Sequence, residues 1–218
     1  MSKNIADQFV EILVKTGVKR IYAVTGDSLN FLNDAIKREG SIRWIHVRHE
    51  EVGAFAAAAE AELEGLAVCA GSSGPGHVHL INGLYEANRG NVPVLAIAST
   101  CESSEFGTSY FQETNTIKLF DDCSVYNQIA TTPEQAPRML QAALQHAISQ
   151  KGVAVIGMPG DLFEEKSVAN ISSDLVFRTN PRIIPSEEET NWIAEHLNSG
   201  KKVAIYCGIG ASDAHAEV

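Results

Sequence analysis

Six short apolar runs, RIYAV, SIRWIHV, LAVCAGS, VPVLAIAS, CSVYNQIA and GVAVIGMPGD, alternate with stretches of helical period. No other feature constrains the fold as much. Strands that are apolar on both faces belong to a parallel sheet covered by helices on both sides. The predicted fold class is therefore α/β, a doubly wound parallel sheet. Residues 4–16 predict the first helix, with Ile5, Phe9, Ile12 and Leu13 on one face and Gly17 ending it. SLNFLNDAIKREG predicts a second helix with Ser28 as its N-cap. The alanine-rich stretch after VRHEE, the segment around HLINGLYEANR and PEQAPRMLQAALQHAISQ predict three more, the last limited by Pro137 to its later residues. Residues 100–116 have no period and read as a long loop. Residues 162–185 are polar, carry Pro181 and Pro185, and read as a linker between a first domain, 1–180, and a second, 181–218. Beyond it, Ser186 and Glu189 form a capping box for a helix that ends at Gly200. KKVAIYCGIGA then reads as a new strand and glycine turn. A βα unit begun and not finished leads to the expectation that this is the front of a longer protein.

Charge and cysteines narrow the function. The 218 residues carry a net charge of −10, which argues against nucleic-acid binding and mildly against docking on anionic lipid. The N-terminus has no long apolar core of a signal peptide, and no run of 18 apolar residues would span a bilayer. The expected location is the cytoplasm. Cys69, Cys101, Cys123 and Cys207 form no CxxC pair, and the reading is reduced, buried thiols rather than disulfides or a metal site.

Ligands of an open parallel sheet bind outside the carboxyl ends of its strands. Four segments would meet there: Thr25-Gly26-Asp27-Ser28, Arg48-His49-Glu50-Glu51, Ser73-Gly74-Pro75-Gly76-His77, and the long loop with Tyr110-Phe111-Gln112-Glu113. GDS is also an ordinary turn-plus-cap sequence, and GPG is not the dinucleotide-binding fingerprint. His49, His77 and His79 lack metal-ligand spacing, so no metal is assigned. No GxSxG elbow supports a serine hydrolase. Glu50 and Glu51 are the most informative pair. One of two such residues at a helix start normally complements the helix dipole. If the other enters the alanine-lined surface, it loses hydration and becomes able to exchange a proton with a bound base.

RHEEVGAFAAAAEA, the earlier VTGDSLN, the later GSSGPGHVHLINGLYEA and the YFQE segment, in this order and spacing, resemble thiamine-diphosphate-dependent enzymes over essentially the whole chain. The likeness is strongest to the pyruvate oxidase and pyruvate:quinone dehydrogenase branch, with acetolactate synthases as relatives. The resemblance implies a pyrimidine-binding domain over 1–180 and the start of a middle, FAD-type domain over 181–218. It implies that Glu50 bonds the aminopyrimidine of thiamine diphosphate and promotes formation of the reactive carbanion. It further implies that Gly26, Asp27, Ser28, Pro75, Gly76 and Asn82 lie against the cofactor, and that His79, Phe111 and Gln112 face the substrate, pyruvate. Glu86 stands where many relatives carry aspartate.

The family's Mg2+ and diphosphate signature is absent from this sequence, and Gly208 and Gly210 are at most the beginning of an FAD-binding stretch. The expectation is therefore that Mg2+ and FAD are held largely by residues outside this chain, that the chain alone is inactive, and that the protein self-associates as a homodimer or homotetramer. Membrane contact is expected only through a C-terminal part not present here. Two alternatives remain at this point: an acetolactate-synthase-like carboligase, and a non-catalytic α/β ligand-binding domain.

Overall fold

The computed structural model describes residues 3–168, 176, 184–211 and 214–217. The chain forms two compact units, Met1–Thr179 and Asn180–Val218. The predicted linker lies mostly outside the described residues.

In the first unit the elements run α1 (Ile5–Lys15), β1 (Arg20–Ala23), α2 (Asn30–Glu39), β2 (Arg43–His46), α3 (Glu50–Glu64), β3 (Ala67–Gly71), α4 (Pro75–Val78), α5 (Ile81–Arg89), β4 (Val94–Thr100), α6 (Thr116–Phe120), β5 (Tyr126–Ile129), α7 (Ala136–Gln150) and β6 (Val153–Pro159). The six strands form one sheet in the order β2-β1-β3-β4-β6-β5, every pair parallel. The predicted doubly wound sheet is the observed one. From β1 the chain steps outward to β2, then returns past β1 to β3. The strand order therefore reverses between β1 and β3, which is where such sheets bind ligands.

The two faces of the sheet are built from different side chains. Alternate residues of β3, β4 and β6 point to opposite sides, as the two-residue strand period requires. Val68, Leu95, Ile97, Ile156 and Met158 join Ile5, Phe9, Leu13, Leu32, Leu140 and Phe163 in one core with α1, α2 and α7. Ala67, Cys69, Ala96 and Ala98 join Ala54, Ala57, Ala58, Ala61, Leu84 and Ala87 in the other, under α3 and α5. Ala54, Ala57, Ala58 and Ala61 of α3 are thus covered within the chain, and α3 lies close to α5 and β3.

Several local expectations change. Ser28 does not cap α2. A 3-10 turn over Asp27–Leu29 precedes that helix, whose N-cap is Leu29 without a side-chain bond. The Ser28 hydroxyl is committed to the loop after β3 instead. The fourth helix is two pieces, α4 and α5, and the end of the long loop closes into α6, capped by the Asn115 side chain. Pro137 sits in the first turn of α7, where the missing N–H has no partner to lose. Cys69, Cys101 and Cys123 are buried and Cys207 is exposed. Burial pushes the Cys69 thiol up to about 12 and the Cys123 thiol up to about 11.

In the second unit, α8 (Glu187–Ser199) starts with the predicted capping box. Ser186 accepts from the Glu189 N–H, and Glu189 accepts from the Ser186 N–H. Its C-cap is Gly200. The strand predicted over 201–207 is not formed, and Val203, Ile205 and Tyr206 are exposed. A strand exists only through ladder bonds to a neighbour, and no described residue pairs with this segment.

Candidate functional site

All four predicted rim segments meet at the carboxyl ends of the strands. The loop after β1 touches the loop after β3 at the reversal point. Ser28 Oγ accepts from the Ser73 N–H (3.0 Å) and lies 2.9 Å from Ser72 Oγ, and Ser72 Oγ donates to Asp27 Oδ1 (3.3 Å). With Ser72 donating to Asp27, the Ser28 proton goes to Ser72, so the three hydroxyl and carboxylate groups form one directed chain. Gly26 makes the approach feasible, because a Cβ there would stand 2.3 Å from Ser72 Oγ. Ser99 Oγ, at the end of β4, has one proton to share between Ser28 O (2.9 Å) and Met158 O (3.0 Å). Ser73 Oγ donates to Gln112 Oε1 (3.0 Å), tying in the long loop. A cleft of about 260 Å³ opens between these segments, lined among others by Asp27, Ser28, Ser73, Tyr110 and Gln112. Phe111 stands 81% exposed beside it, in ring contact with Tyr110.

Glu50 does not line that cleft and lies against the turn at Gly76. It is the first residue of α3 and only 8% exposed. His79 Nδ1 lies 3.1 Å from Glu50 Oε2 and donates to it, since a carboxylate oxygen accepts. Oε1 faces Gly76, where an added Cβ would stand 3.5 Å away. Glu51, the neighbouring acid, is held by Asn82, whose Nδ2 donates to Glu51 Oε1 (2.6 Å). Asn82, expected against the cofactor, thus joins α5 to α3. Pro75 is exposed at the first position of α4. Of the two glutamates, Glu50 enters the fold and Glu51 stays with the helix start.

His49, from the same rim segment as Glu50, joins this pair through its ring, which stacks on that of His79 at 4.4 Å. The donor atoms of His49, Glu50 and His79 lie within 4.8 Å of one another, a set that a divalent ion accepts. Their commitments point elsewhere. His49 Nδ1 accepts from the Glu51 N–H (3.3 Å), His79 Nδ1 serves Glu50, and stacked rings aim their lone pairs side by side rather than at one point. The two imidazoles form a support that orients the Glu50 carboxylate.

His77 is a fully buried histidine with both ring nitrogens satisfied. Burial lowers its pKa. An unfolded chain therefore takes up a proton at His77 as pH falls through about 6.5, while the folded chain resists until lower pH. The expected result is a loss of stability on acidification below that value, and a shallower loss in His77→Asn. Denaturant titrations between about pH 7.5 and pH 5 check this, and equal slopes for both proteins would refute it.

The family described as "Thiamine pyrophosphate enzyme, N-terminal TPP binding domain" matches residues 3–119, which contain every residue of this rim. The chain belongs to this family. It is 40% identical over 99% of its length to the putative thiamine pyrophosphate-containing protein YdaP of Bacillus subtilis (strain 168). It is 36% identical over 96% to a pyruvate oxidase of Lactiplantibacillus plantarum. It is 28% identical over 98% to a chloroplastic acetolactate synthase of Arabidopsis thaliana. It spans 38%, 35% and 32% of the lengths of these relatives.

The residues present suit the pyrimidine half of thiamine pyrophosphate. A buried carboxylate sits at the rim with one oxygen braced by His79 and the other turned toward Gly76, whose lack of a Cβ lets the turn lie close to Glu50 and Ser72. A basic cluster for a diphosphate is not seen among the described residues of the four rim segments, where Arg48 is the one arginine or lysine. This thiamine pyrophosphate domain thus offers a hydrogen-bonding partner for a nitrogen heterocycle.

Proposed function

We propose that this chain is the pyrimidine-binding part of a thiamine-diphosphate-dependent flavoenzyme that oxidatively decarboxylates pyruvate to acetate or acetyl phosphate. Electrons would pass through FAD to a quinone or to oxygen. The observation that carries the reading is Glu50, a buried carboxylate braced by His79 at the strand ends, opposite Gly76. Higher identity to a pyruvate oxidase than to an acetolactate synthase, 36% against 28%, supports this branch over a carboligase.

Thiamine diphosphate, when bound, supplies the sink that takes up the electron pair released as a 2-keto acid loses CO2. The chain's own residues act around it. Glu50 exchanges a proton with the pyrimidine nitrogen, as a general acid–base group within hydrogen-bond reach does. His79 holds the Glu50 carboxylate in place, and glycine at 76 lets the turn pack close against it. The Asp27–Ser28–Ser72–Ser73 network with Gln112 and Phe111 lines the side where pyruvate would enter. In this reading residues 1–180 are the pyrimidine domain and 181–218 begin a middle domain. The Mg2+ and most of the FAD site lie in the rest of a longer protein, and the enzyme is a cytoplasmic homodimer or homotetramer.

The test is product analysis. The longer protein, given pyruvate, thiamine diphosphate, Mg2+ and FAD, is expected to form acetate or acetyl phosphate with reduction of a quinone or oxygen. Acetolactate as the product would overturn the oxidase assignment in favour of the carboligase. No cofactor-dependent consumption of pyruvate would overturn both.

A further inference from the structure

We propose that His77 is a positioning residue which, through Thr114, fixes the base of the 101–115 loop and so sets where Phe111 and Gln112 stand. The His77 side chain is fully buried behind the glycine turn, edge-on to Phe120. Its Nδ1 lies 2.7 Å from Ser99 O, a carbonyl that can only accept, so Nδ1 carries the proton. In the neutral ring Nε2 is then an acceptor, and it takes the hydroxyl proton of Thr114 at 2.5 Å. The ring therefore bridges the end of β4 to the returning end of the long loop in one defined tautomer.

Thr114 is the point through which that bridge reaches the loop. The adjacent Glu113 organises the loop's interior. Its carboxylate accepts from the Gly107 N–H (2.7 Å) and the Ser109 N–H (3.0 Å), and its own N–H donates to Tyr110 O (2.8 Å). On the other side, Asn115 caps α6. Phe111 and Gln112 thus ride on a small folded unit whose C-terminal anchor is the His77–Thr114 bond. A second hold, Ser73 Oγ to Gln112 Oε1, is part-buried, as the His77–Thr114 bond is. The two differ in that loss of the latter leaves a nitrogen of a fully buried ring unpaired, which is the costlier loss.

Only what Phe111 and Gln112 face depends on the proposed function. The test uses neither cofactor nor turnover, so either reading can fail without the other. Amide hydrogen exchange is compared in the 218-residue chain for the parent, Thr114→Val, Thr114→Ser and His77→Asn. The Asn side chain keeps a donor near Ser99 O but reaches no acceptor to Thr114. Exchange at Gly107, Ser109 and Glu113 is expected to quicken about tenfold or more in Thr114→Val and His77→Asn, with β4 and β6 unchanged. Thr114→Ser, which keeps the hydroxyl, is expected to match the parent. Parent-like exchange in Thr114→Val would overturn the proposal. So would acceleration in Thr114→Ser equal to that in Thr114→Val, or acceleration in Thr114→Val that extends equally through β4 and β6.

Discussion

Glu50→Gln in the longer protein is expected to lower thiamine-diphosphate-dependent turnover roughly 10²–10⁴-fold, the usual contribution of a positioned acid–base group. The fold should survive the change. Glutamine has the same shape, and its amide oxygen still accepts from His79 Nδ1, so the buried contact at 3.1 Å is retained. What the amide lacks is an exchangeable acid proton. Glu51→Gln is the control. Its bond partner is Asn82 on α5, and the substituted side chain keeps an oxygen to accept from it, so turnover should stay near the parent value. Initial rates with saturating cofactor, read beside thermal unfolding of both variants, decide the matter. Near-parental turnover in Glu50→Gln at unchanged stability would remove Glu50 from the chemistry.

Gly83→Ala is expected to destabilise the chain by about 3 kcal/mol, at the upper end for an overpacked core. A methyl group at this position of α5 would stand 2.4 Å from Ala54 Cβ and 2.6 Å from the Phe55 backbone nitrogen of α3. Neither neighbour is the free end of a flexible side chain, so the helices must separate. The damage would spread to the rim, since α3 begins at Glu50 and α5 follows His79 by two residues. Urea unfolding of the variant should show a clearly lower midpoint with an unchanged slope. A midpoint equal to the parent's would mean that the two helices can yield without loss.

The sheet and the rim were legible because they rest on local, repeated signals. Apolar strands such as LAVCAGS and VPVLAIAS need no partner information to be recognised, and the rule for ligand position then groups the loops that follow them. Glu50 was legible for a narrower reason, two acids leading into an alanine run. What escaped was set by partners distant in sequence. Ser28 reads as a helix cap until Ser72 and Ser73, more than forty residues on, claim its hydroxyl. His77 looks like any histidine after a turn until Ser99 and Thr114 enclose it. The order inside the 101–115 loop depends on one carboxylate, Glu113, reaching back to two amides, and has no periodic signature. The strand expected over 201–207 fails for a related reason, since sequence can propose a strand but only a neighbour can hold it.

The unlike composition of the two cores has a consequence for how this fold tolerates change. Over the face packed by α1, α2 and α7, leucine, isoleucine and phenylalanine fill the space, and truncation there leaves voids. Over the face packed by α3 and α5, about half of the buried side chains are already a single methyl group, so less is left to remove there. There the harmful direction is growth, because any added carbon pushes the helix that carries Glu50 away from the sheet. Substitutions drifting through this chain would thus be filtered oppositely on its two sides, for size kept on one and for smallness kept on the other. The small-residue side is the one that bears the proposed acid–base group, so the room to vary is narrowest where the chemistry would be.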